Sequence, residues 1–119
     1  MKCDDARLWD ALIDASREAH ARGQHAVAYH ALAAAMHAAD DQSNGDQLGE
    51  VEREAKRQLD WIDEYAHQDR LSTRSASTRN HPGVYTLLAR TAGAHVQMIV
   101  RRADLEHMRQ AMTSRPGLS

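Results

Sequence analysis

The sequence predicts an all-α fold, a small helical bundle or a stack of helical hairpins with four to five helices. Three observations lead there. Apolar residues recur at steps of three and four along most of the 119 residues. Of the 50 apolar residues 21 are alanine, a strong helix former, while Leu, Ile and Val together number 18 and Phe is absent. The connections between periodic segments are short, apart from one polar stretch at 69–81.

The first helix is expected from about Asp5 to Arg22, capped by Asp4 or Asp5, with a stripe of Leu8, Trp9, Leu12, Ile13, Ala15, Ser16 and Ala19. Gly23 suits the position just past its end. A second helix follows at about 24–40. It is alanine on nearly every side, with Val27, Leu32 and Met36 as larger knobs, the pattern of a helix buried between others. With only Gly23-Gln24 between them, these two must form an αα-hairpin. "DDQSNGD" at 40–46 reads as a loop. A third helix, from near Asp46 to about His67, carries the stripe Leu48, Val51, Ala55, Leu59, Ile62, Ala66 and a favourable Glu52–Lys56 pair. Residues 69–81 lose all periodicity and read as a polar loop. Pro82 then suits a helix start, and 82–112 is compatible with one long helix or with two, broken near Gly93 or Ala103. Residues 1–112 form one domain in this reading, and 113–119 a tail.

Residues 8–39 resemble a tetratricopeptide-type hairpin. Trp9 and Leu12 match its first helix, Gly23 its turn, and Ala28 and Ala35 its second helix, with Leu32 where an aromatic is common. The glycine falls about three residues late, Asp40-Asp41 replace the usual closing proline, and 46–112 carry no second copy. The resemblance implies a helical hairpin used for protein–protein contact.

Alanine buries little area, so at about 25 cal/mol per Å² a core this rich in alanine contributes little, though it lets helices approach closely. A thin core predicts that a partner surface supplies part of the stability, most simply a second copy. Net charge is −2, which gives no overall attraction to nucleic acid or membrane. The charge is uneven: residues 1–66 hold 14 acids and 7 bases, residues 67–119 hold 3 acids and 8 bases, all Arg. The lone Cys3 allows no intrachain disulfide, no apolar leader or membrane-length run is present, and a cytoplasmic protein is expected.

None of the eight histidines pairs with another at i,i+3 or i,i+4, so a shared metal ion is not indicated, and no cofactor is expected. Glu64-x-x-His67 and Asp104-x-x-His107 resemble the Glu-x-x-His element of di-metal carboxylate bundles, which makes an enzyme of that type the third-ranked reading. Asp10, Asp14, Glu18 and the Asp60/Glu64 pair read as solvated faces. The leading candidates are surface residues: Arg57, Trp61 and Tyr65 on the flank of the third helix, and Arg70, Arg74 and Arg79 in the polar loop. They support a non-enzymatic protein-interaction or oligomerisation module, expected as a homodimer. The alternative is anion or nucleic-acid binding through the Arg-rich segment 70–102, disfavoured for nucleic acid because Lys is absent there and only Tyr85 lies close for stacking.

Overall fold

A computed structural model describes residues 2–113 of the chain, with side chains from Arg7 onward. It contains five helices, α1 (Lys2–Ala21), α2 (His25–Asp41), α3 (Gly45–Tyr65), α4 (Thr73–Ser77) and α5 (Val84–Thr113), and no strand among the described residues. The all-α class expected from periodicity is the fold observed.

Three helices end by the same device. After α1 the Gly23 N–H donates to the His20 carbonyl and the Gln24 N–H to Ala19, with Gly23 at φ 77°. This is a Schellman closure, in which a residue in the left-handed region lets the last carbonyls be satisfied. After α2 the same pair of bonds runs from Ser43 to Asp40 and from Asn44 to Ala39, with Ser43 at φ 50°. After α4 it runs from Asn80 to Ser77 and from His81 to Ala76, with Asn80 at φ 53°. α3 starts on Asn44, whose side chain accepts from the Gln47 N–H at 3.0 Å.

α1 packs along α2, α3 packs along α5, and α2 joins the two pairs by touching both α3 and α5. α3 and α5 run antiparallel: Gly45 lies against Ile99, and the Glu52 carboxylate lies over Gly93. Leu32, Ala35, Met36, Leu48, Val51, Ala55, Ile62, Tyr85 and Leu88 fill the space between the layers. Gly93 sits inside α5, which is one continuous helix, so the alternative of a break there or near Ala103 is not realised. The close approach of Glu52 takes the space a side chain at 93 would need.

Other boundaries and faces differ from expectation. α1 begins at Lys2, which puts Asp4 and Asp5 within its first turn; their side chains, and the tail at 114–119, lie outside what is described. α2 is not buried on all sides: Leu32 and Met36 are core, but Val27 is 56% exposed and His30 and His37 face out. Leu8 and Ala15 of α1 also face solvent. Within the expected loop 69–81, α4 forms because Ser72 caps it through the Ser75 N–H (3.1 Å) and Asp63 accepts from both Thr73 N–H (2.7 Å) and Thr73 Oγ1 (2.6 Å). Ala76 then fills a buried position. The Ser72 cap is local, but the two bonds to Asp63 reach back to α3, which periodicity within 69–81 cannot register.

The molecule measures 67 × 34 × 18 Å with a radius of gyration of 18.2 Å. A compact chain of this length would have about 13.5 Å. α5, whose 30 residues span about 45 Å, contributes to the elongation by running past the body.

Candidate interaction surface

The α3 flank is held from below by a buried polar chain. Gln58 is fully buried; its Nε2 donates to Ser16 Oγ (3.0 Å) and to Glu54 Oε2 (2.9 Å), and its Oε1 accepts from the Tyr85 hydroxyl (2.6 Å). Ser16 Oγ in turn donates to the Ala28 carbonyl at 2.7 Å. Glu54 is 4% exposed and receives Arg17 at 3.1 Å and the guanidinium of Arg57. Burial works to raise the Glu54 pKa, but the bonds from Arg57, Gln58 and Arg17 outweigh it and hold the carboxyl below its usual value. Burial and the Glu54 charge push the Tyr85 phenol upward, which keeps it a neutral donor. One carboxylate with two arginines at its rim, one amide and two hydroxyls thus tie α1, α2, α3 and α5 together.

Above this chain lies an aromatic cluster. His20 and His25 flank the α1–α2 turn with ring centroids 5.1 Å apart. The Trp61 indole stands edge-on to His20 at 5.1 Å and lies 5.6 Å from His25, and the Tyr65 ring lies tilted beyond it at 5.3 Å. Trp61 is 41% exposed and Tyr65 68%. Arg57, Trp61 and Tyr65 therefore do share one surface, but Arg57 is committed to Glu54 and frames the patch rather than standing free on it. Both histidines are buried, and the Nδ1 of each has no hydrogen-bond partner among the described residues. Burial, then the neighbouring His25 and Arg57, lower the His20 pKa.

The arginines of the 69–81 segment divide. Arg70 and Arg79 line one surface pocket with Leu71, His81, Gly83 and Val84, and the Arg79 guanidinium donates to the Arg70 carbonyl at 3.0 Å. Arg74 is on α4, exposed, outside that pocket. No ion pair from these three to the acids of α1 or α3 is present among the described residues. Arg101 and Arg102 lie about 27 Å further along the α5 axis at 1.5 Å per residue, so the bases of 70–102 do not converge on one clamp.

Glu64-x-x-His67 and Asp104-x-x-His107 do not meet. Glu64 and His67 are exposed at the C-terminal end of α3, and Asp104 and His107 are exposed near the far end of α5, which runs antiparallel to it. Among the described residues no group of three or more His, Cys, Asp and Glu is placed to hold an ion. Asp10, Asp14, Glu18, Asp60 and Glu64 face solvent, as expected. No helix of the described residues is long and apolar enough to cross a membrane.

Sequence reasoning missed Glu54, Gln58 and the His20–His25 contact. Gln58 did leave a signal, since it occupies the stripe Val51, Ala55, Gln58, Ile62 at steps of four, three and four. The histidines meet across the Gly23 turn, a pairing that spacing rules for a single helix do not cover. Comparison with protein families, with curated proteins and with solved structures found no match.

Proposed function

We propose that the chain is a non-enzymatic protein-interaction or oligomerisation module, acting on a protein partner or on a second copy of itself as a homodimer. The observation that carries this reading is the half-exposed Trp61–Tyr65 pair, mounted on a helix whose underside is pinned by the Glu54–Gln58–Tyr85 chain. Large aromatics held rigidly at a surface, with arginine at their margin, have the composition of binding hot spots. The α1–α2 hairpin, read as tetratricopeptide-like, and the thin alanine core support the same reading. The single Cys3 fits a reducing, cytoplasmic setting. The test is the mass of the untagged chain by light scattering, alone and in its native extract. An assembly larger than the 13.3 kDa monomer is expected. A chain that stays monomeric at high micromolar concentration and elutes alone from its extract ends the reading.

A second reading, anion binding, draws on the convergence of Arg70, Arg79 and His81 around one pocket. Titration with inorganic phosphate checks it. Saturable binding that is lost in Arg70→Ala with Arg79→Ala is the expected result, and no binding at low salt removes it.

A further inference from the structure

The most unusual surface is the second half of α5. From Gln97 to Thr113 every residue but Ile99 is exposed. The last anchors to the body are His95, whose Nδ1 lies 2.6 Å from Asp40 Oδ1, and Ile99 against Gly45. A helical stretch with no tertiary cover forgoes the packing from which most helical stability in proteins comes. It also carries Met98, Leu105, Met108 and Met112, each between 58% and 70% exposed.

These four belong to a longer pattern. Leu87, Thr91, Ala94, Met98, Arg101, Leu105, Met108 and Met112 follow one another at steps of four and three without a break. That is a period of 3.5, the repeat that keeps a seam facing another helix. The seam is open along its whole length, since Leu87 is 40% exposed and Thr91 and Ala94 face solvent. At 100° per residue it points about 140° away from the face of Tyr85, Leu88, Ala92 and Ile99 that packs on the body. A second helix can therefore lie on it without meeting the bundle.

We propose that this seam takes the same seam of a second copy, in antiparallel orientation, with residues 94 and 105 opposite one another. The proposal rests on the reading of the chain as an association module and names its partner and surface. The side chains select the orientation. A parallel pair would put Arg101 directly on the partner's Arg101, two like charges in the middle of an interface. Antiparallel pairing over the full seam sets Arg101 beside Met98, where its stem packs and its guanidinium turns out toward Asp104 of its own helix, one turn on. Two of the remaining layers match large to small, Leu105 on Ala94 and Met108 on Thr91, and the outermost sets Met112 on Leu87, two large apolar side chains. Each projecting half then lies along the anchored half of its partner. From their exposures, the five large seam residues offer on the order of 500 Å² per copy, so the pair covers on the order of 1,000 Å², the low end of specific interfaces.

The experiment uses the full chain with Cys3→Ser. Sedimentation equilibrium should show a dimer, and Leu105→Asp, an exposed position that leaves the body folded by circular dichroism, should weaken association at least ~10-fold. Under mild oxidant a mixture of Ala94→Cys and Leu105→Cys chains should form the mixed disulfide, while Leu105→Cys alone should not couple to itself. A dimer indifferent to Leu105→Asp overturns this inference and leaves the module reading standing on another face, for which Trp61→Ala is the control. Self-coupling of Leu105→Cys overturns the antiparallel arrangement. A chain monomeric under all conditions overturns the inference, and if it also elutes alone from its extract the module reading falls with it. Vesicle binding by α5 without dimer formation assigns the seam to a lipid surface and overturns it as well.

Discussion

Gln58 shows what a single polar side chain does in a thin core. It fills the middle of the α3 stripe and satisfies Ser16, Glu54 and Tyr85 at once. Gln58→Ala should cost about 3 kcal/mol by chemical denaturation, because it opens a cavity and leaves two buried hydroxyls with fewer partners. Tyr85→Phe removes one donor and keeps the volume, so about 1–2 kcal/mol is expected. The double variant should fall short of the sum, since both changes cut one bond. Ser43 offers the opposite sign. It holds φ 50° at the end of α2, so Ser43→Gly should raise stability by about 0.5–1 kcal/mol. His20 sets a pH dependence. Its folded pKa lies below the unfolded value of 6.5, so the folded chain binds that proton less readily than the unfolded chain. Stability from this group is intact above pH 6.5 and falls as pH drops through the window below it. Denaturation curves across that window should show the decline, and His20→Gln should flatten it. Glu54, with its lowered pKa, adds a further loss only below about 4.5. None of these roles was legible beforehand except the anomaly of a glutamine among apolar positions. Burial of Glu54 needs Arg17 of another helix, and the His20–His25 contact needs the hairpin closed.

At the scale of elements, four of the five helices follow from local chemistry. The α3 stripe is the clearest, and all six of its expected positions are buried or half-buried. Gly23 and Asn44 mark helix ends by conformations and caps that their residue types favour. α4 is the exception, because its first turn is held by a carboxylate ten residues back on α3. Asp63→Ala should therefore release α4 while α3 persists. Hydrogen exchange would show it as lost protection at the amides of 73–78 with little change at 48–62. Composition does not separate the two faces of α2, because alanine is equally at home on an exposed helix face and in a core. Only the bulkier Leu32 and Met36 separate the two, and Val27 does not follow them.

At the scale of the whole molecule, shape is the property that periodicity could not give. The steps of four and three along α5 identify a helix, yet they do not say that its stripe faces away from the body, because Tyr85, Leu88 and Ala92 form a second, shorter stripe on the opposite side. Small-angle scattering of a monomeric variant such as Leu105→Asp should return a radius of gyration near 18 Å, well above that of a compact chain of equal length. Charge is likewise spread by the fold, with the bases of 70–102 divided between the 69–81 segment and α5 rather than gathered. The hydrophobic core, with the apolar residues packed against it, stops at Ile99. Substitutions beyond that point lie outside this core, so the last stretch of the rod can trade one binding preference for another at little cost to the packing that presents it.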